Sequence, residues 1–229
     1  MKKVYLAGGL LALAGAAIWA YAGDEIQFRL GGAMVNVGYR LQDPIADYDF
    51  AHHLLTPPQV WEQFMRQNQM ASSVRQQWPR TSRHPVVAMV TCMDSRLDTN
   101  EIAGDTRRYY YVLRLAGSVL SVKEEEMLEL AADNGVEVIV FTTHTDCAAE
   151  KASKNPAQRA KYPNLVKSIE ERDLRFQEFL DRPNVKEKTA AGKLMVKWMD
   201  LDTQTERVAP HVRAGARLRP NFAEPESFR

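Results

Sequence analysis

The sequence predicts an α/β domain with a mostly parallel central sheet flanked by helices, preceded by an apolar N-terminal helix. Three observations carry this. "HPVVAMVT" (84–91) and "VEVIVFTT" (136–143) are short, nearly continuous apolar runs, as strands buried on both faces require. A capped helical pattern, "SVKEEEMLELAADNG", lies between predicted strands, and strand, helix and strand at this spacing make a crossover in a parallel sheet. The chain's two cysteines, Cys92 and Cys147, fall just beyond those two apolar runs, and the carboxyl ends of parallel strands are where open sheets assemble sites.

At 229 residues the chain has room for one ordinary core plus extensions. A formal net charge of +1 gives no electrostatic case for nucleic acid as a partner. Two cysteines cannot make a disulfide framework; they form one bridge, free thiols, metal ligands, or a nucleophile with a bystander.

Taken in order, Lys2 and Lys3 precede "VYLAGGLLALAGAAIWAYA" (4–22), which carries no charge and as a helix would be roughly 28 Å long, close to a hydrocarbon core. Residues 1–23 read as a membrane anchor, with Trp19 and Tyr21 at the interface, or as a cleaved signal with "AYA" before Gly23. Either way the lysines stay on the cytoplasmic side, which puts the remaining chain across the membrane, in the periplasm or its equivalent. Cleavage would leave an exported soluble protein. Lysines at the start, without a serine-rich amphipathic stretch, favour bacterial export over an organelle transit peptide.

Residues 24–57 alternate apolar and polar residues over short spans and then lose any period, which predicts an extended arm able to dock on a neighbour or a membrane partner. His52 and His53 stand side by side in it and read as surface residues. From Pro57 and Pro58, "QVWEQFMRQNQMASSVRQQW" predicts an amphipathic helix with Val60, Trp61, Phe64 and Met65 on one side. The main domain, 58–209, continues through the first strand and then "RYYYVLRL" (108–115), a second strand rich in aromatics. The next helix starts at an S-x-x-E capping box, Ser121 and Glu124, and stops at Gly135 before the third strand. "YPNLVKSIEERDLRFQEFLDR" predicts one charged amphipathic helix, and "KLMVKWMDLDTQTERVAP" two short strands around a turn at Asp202 to Thr205. Residues 210–229, rich in Arg and Pro, read as an irregular tail.

Three candidate metal ligands converge on one sheet edge. "HTDC" places His144 and Cys147 on one turn of chain leaving the third strand, and Cys92 arrives from the first. Two thiolates and a neutral imidazole suit Zn²⁺, and three protein ligands leave a coordination position open, which is a catalytic arrangement. In "CMDSR", Asp94 and Arg96 stand beside the ligand: a carboxylate there can aim the attacking nucleophile, and a guanidinium keeps that carboxylate ionised and fixed. Taken singly, each motif reads as well as a buried thiol beside a structural ion pair. Together they favour zinc, with a Cys92 to Cys147 disulfide and a Cys/His nucleophile pair as the alternatives.

"CMDSRLD", then "RLAGS" (114–118), then "HTDC" resembles the β-class carbonic anhydrases in order and spacing, over about residues 58–209. The resemblance implies that Cys92, His144 and Cys147 are zinc ligands and that Asp94 and Arg96 form a catalytic dyad. It implies reversible hydration of CO₂ to bicarbonate, a homodimer or higher assembly with the cleft at the subunit interface, and an apolar CO₂ pocket. The chain departs from the family pattern twice: Leu115 replaces an asparagine, and Ala148 replaces the glycine after the second cysteine. These bear on rate and substrate, so a COS or CS₂ hydrolase on the same site stands as an alternative. A structural subunit of a larger membrane complex, bound through residues 1–57, is another.

Overall fold

The computed structural model describes residues 2–42, 44, 55–79 and 82–211, with side chains from residue 22 onward. The chain divides into two units, Met1–Arg80 and Thr81–Arg229.

The first unit holds two helices. α1 spans Lys2–Gln42. This corrects the extended arm expected from residue 24: Ile26, Leu30, Met34, Val37 and Leu41 repeat at helical spacing. The helix meets its backbone hydrogen bonds internally, whereas an extended arm would need a partner strand. Asn36 Nδ2 adds a bond to the Gly32 carbonyl four residues back, at 2.9 Å. Among the described residues no helix is long and apolar enough to cross a membrane; the side chains of the uncharged stretch up to residue 21, and His52 and His53, lie outside those residues. α2 (Pro57–Gln77) is the predicted amphipathic helix, opened by Thr56 and Gln59 as a capping box, with Trp61 and Phe64 stacked at 5.5 Å on its surface.

The second unit is the predicted sheet. In chain order it comprises β1 (Val87–Cys92), the short helices α3 (Thr99–Ala103) and α4 (Thr106–Tyr109), and β2 (Tyr110–Leu115). A tight turn at Ala116–Ser118 follows, then α5 (Val122–Asp133) and β3 (Val138–His144). The helices α6 (Ala148–Lys154), α7 (Pro156–Lys161), α8 (Pro163–Glu170), α9 (Arg172–Asp181) and α10 (Pro183–Ala190) lead to β4 (Met195–Leu201) and β5 (Val208–Pro210). The strand order is β2-β1-β3-β4-β5. All neighbours are parallel except β4 and β5, which form the hairpin expected around Asp202.

Ser121 and Glu124 do cap α5: the Ser121 backbone N–H donates to the Glu124 carboxylate at 2.9 Å. On one face of the sheet, Ala88, Val90, Ile139 and Phe141 pack against Leu128 of α5, Phe176 and Phe179 of α9 and Val185 of α10. The helix expected over 162–182 is broken at Glu171, so that α8 and α9 are separate and Arg172 opens the second. A smaller cluster of Cys92, Leu97, Cys147 and Leu201 closes the carboxyl edge of the sheet. The described part of the C-terminal tail ends at His211.

Candidate metal centre

Because β1 and β3 lie side by side and parallel, their last residues, Cys92 and His144, reach the same edge. Cys147 follows where the chain turns back to start α6. That reversal uses a left-handed residue, Asp146 at φ +61°, a conformation that aspartate tolerates better than most side chains do. Asp146 is held there by Lys151 at 2.9 Å, and its carbonyl accepts from Arg96 Nη2 at 3.3 Å.

The ligand atoms of Cys92, His144 and Cys147 all lie within 4.8 Å of one another, and all three residues are buried. The two sulfurs are 4.0 Å apart, while two thiolates on a tetrahedral zinc ion sit about 3.8 Å apart for bonds of ~2.3 Å. That separation is about twice a disulfide bond length, and both cysteines are free. His144 Nδ1 lies 2.9 Å from the Thr145 carbonyl. A carbonyl only accepts, so this nitrogen carries the proton and leaves the Nε2 lone pair free. Nε2 is buried without a hydrogen-bond partner among the described residues. An orphaned imidazole lone pair beside two thiols is what a zinc ligand set requires, and the residues fit the ion.

The electrostatics point the same way. A hydrogen bond from Cys147 holds the Cys92 thiol below its usual value, against burial that pushes it up, with help from His144 and the backbone amides of Asp94 and Gly117. Cys147 in turn is pushed up by its bond to Cys92 and by burial. The Cys92 sulfur also favours protonated His144, raising it against burial.

Asp94 and Arg96 stand beside this centre as a fork: Arg96 Nε reaches Asp94 Oδ1 at 3.0 Å and Nη2 reaches Oδ2 at 2.8 Å. The Arg96 guanidinium holds the Asp94 carboxyl well below the usual carboxylate range. Cys92, Asp94 and the apolar side chains of Met93, Ala149, Ala152 and Leu165 line a cavity of about 380 Å³, together with Gln158 of α7 and Tyr162 at the junction of α7 and α8.

The two departures from the motif pattern take clear places. Ala148 is the first residue of regular helix α6, so no positive φ demands glycine there, and its methyl group joins the cavity wall. Leu115 packs against the main core. Two residues carry more than the sequence reading gave them. Arg114 bonds the carbonyls of Cys92, Asp94 and Leu97 at 3.4, 2.6 and 2.6 Å, so one guanidinium shapes the whole loop after β1. Gly117 sits at φ +62°, and a Cβ there would run into Ile169.

A family model described as carbonic anhydrase matches residues 87–213, more than half of the chain. A comparison with curated proteins finds no match. Among solved structures, the fold is similar to a β-carbonic anhydrase of Aspergillus fumigatus at a TM-score of 0.51 and 16% identity, covering 67% of this chain and 90% of that one. It is also similar to β-carbonic anhydrase isoform I of Trichomonas vaginalis at 0.50 and 17%, covering 68% and 97%. At such identities the structures speak for the fold, and the family match for kinship: the chain belongs to the β-carbonic anhydrases, enzymes whose cofactor is zinc.

Proposed function

We propose that the protein catalyses the reversible hydration of CO₂ to bicarbonate and a proton, with Cys92, His144 and Cys147 holding zinc and Asp94 with Arg96 serving the reaction beside it. The observation that carries this is the convergence of three buried ligand atoms with an ionised, forked carboxylate on the wall of one apolar cavity. When bound, zinc supplies a Lewis acid that makes water a nucleophile near neutral pH. Asp94, kept ionised by Arg96, can only accept hydrogen bonds, so it orients the attacking water and turns its lone pair towards the cavity. The apolar wall suits a substrate without charge and favours release of a charged product. Stopped-flow hydration of CO₂ tests this: the zinc-loaded protein should exceed its Cys92→Ala variant, and equal rates would refute it. COS offered to the same preparation separates the sulfur reading, because sulfide release with negligible CO₂ turnover would favour that substrate.

Exposed apolar side chains support an assembly. Tyr111 and Val112 on the edge strand β2, with Val122, Met127 and Leu130 on α5, are exposed apolar residues, the kind of surface that a partner covers. We assign a homodimer that covers the edge strand β2, where Tyr111 and Val112 are exposed; light scattering of the purified protein would contradict it by returning a monomer.

Residues 4–22, uncharged and preceded by two lysines, support a tether that holds the enzyme at a membrane with its zinc domain on the non-cytoplasmic side. Protection of a C-terminal tag from an impermeant label in intact cells would argue against that orientation. A purely structural role in a membrane complex would show as zinc-loaded protein that copurifies with a partner and does not hydrate CO₂.

A further inference from the structure

Arg172 touches both turns that support the cysteine ligands. Its Nη1 donates to the Gly117 carbonyl at 3.3 Å and to Glu150 Oε1 at 2.7 Å. Gly117 belongs to the turn that follows β2, and Glu150 to the first turn of α6, directly after Cys147. Each turn adjoins a ligand: Cys92 pairs with Leu115, the residue directly before the Gly117 turn, and Cys147 is the N-cap of α6, whose first turn holds Glu150. The ion pair with Glu150 is largely sheltered, the two side chains being 16% and 27% exposed.

The guanidinium is itself held in place. It lies 5.8 Å from the centre of the Trp198 ring, within the reach of a cation–π contact. Arg172 Nε and Ser118 Oγ are both buried without a partner among the described residues, and both residues line one cavity of about 10 Å³, room for a single bridging water. The turn that Arg172 grips has no freedom to thicken, since Ile169 fills the space where a Gly117 Cβ would stand.

We propose that Arg172 is a positioning residue of the metal centre: by gripping the Gly117 carbonyl and the Glu150 carboxylate with one guanidinium, it fixes both turns against the cysteine ligands and sets how tightly zinc is held. The inference rests on the zinc reading of Cys92, His144 and Cys147. Lysine in its place keeps the charge but lacks the planar fork and cannot serve both acceptors with the same geometry.

The test is zinc retention, measured by competition with a chromophoric chelator, on the wild type, Arg172→Met, Arg172→Lys and Glu150→Gln. Removing partners that support ligands weakens metal affinity by about tenfold to a hundredfold. Arg172→Met should fall in that range, Arg172→Lys should recover part of the loss, and Glu150→Gln should lie between wild type and Arg172→Met. The cobalt-substituted proteins add a second readout: the thiolate-to-metal absorption of Arg172→Met should shift from the wild-type bands. If Arg172→Met lowers the melting temperature but holds zinc within about twofold of wild type, a spread below that second-range effect, the residue is merely structural and the proposal fails. If Arg172→Met does not fold, Glu150→Gln decides, and unchanged retention there overturns it. A wild type that takes up no zinc would instead sink the zinc reading, and this inference with it.

Discussion

Arg114 holds Asp94 by its backbone: Nη2 lies 2.6 Å from the Asp94 carbonyl, while the Asp94 side chain is occupied by Arg96. The carboxylate is thus fixed from two directions, by one arginine on its own loop and another from the neighbouring strand. Arg114→Met should loosen the loop 92–97 without removing a zinc ligand. Misplacing a reacting group by about 1 Å costs on the order of a hundredfold, so kcat/KM should fall roughly tenfold to a hundredfold while zinc content stays at the wild-type level. Loss of zinc in step with activity would show that Arg114 serves the metal site instead.

Cys147→Ser and His144→Ala each remove one of the three ligands that cluster here among the described residues. Both variants should lose zinc on dialysis, and with it CO₂ hydration. Metal binding also stabilises only the folded chain, so their melting temperatures should stop responding to added zinc. A zinc-dependent melting temperature in either variant would place the metal elsewhere.

Gly117 is required by its conformation and by its neighbour. At φ +62° an added Cβ is strained, and Ile169 occupies its space. Gly117→Ala should destabilise the fold by about 1–3 kcal/mol, read from chemical denaturation, and pairing it with Ile169→Ala should relieve the steric part alone. Full recovery in the double variant would show that the backbone carries no strain there.

The Asp94 and Arg96 pair fixes a sign for the pH dependence of stability. Arg96 lowers the Asp94 carboxyl in the folded chain, so the pair stabilises the fold above the unfolded aspartate value of about 3.9, and this is lost as pH falls through the lower folded value. The stability difference between wild type and Asp94→Asn should therefore be level across neutral pH and shrink below about pH 4. A difference that grew in acid would contradict the forked pair.

Much of the site was legible because strand ends are. Cys92, His144 and Cys147 each follow an apolar run, and parallel pairing of β1 with β3 brings them to one edge. The alternation in "CMDSR" likewise anticipated a pair of Asp94 with Arg96, which backbone curvature at residues 94–97 turns into a fork. Arg114 and Arg172 were not legible: each acts through carbonyls or a carboxylate far away in sequence, and neither spacing nor residue type marks such contacts. Residues 148–161 gave no element in the sequence reading, yet Asn155 before Pro156 was a usable signal, since the Asn155 side chain caps α7 through Ala157 and Gln158. The arm at 24–42 misled because Ile26, Phe28 and Leu30 alternate like a strand while Ile26, Leu30 and Met34 repeat like a helix, and over so short a span the two periods share residues.

The proposed role of Asp94 is to act in catalysis beside a zinc ion that it does not hold. Zinc content and CO₂ hydration measured together on wild type and Asp94→Asn test this most directly. Zinc should be equal in both, with hydration lost by about a hundredfold or more in the variant. Zinc-loaded wild type that hydrates CO₂ no faster than Asp94→Asn would contradict it.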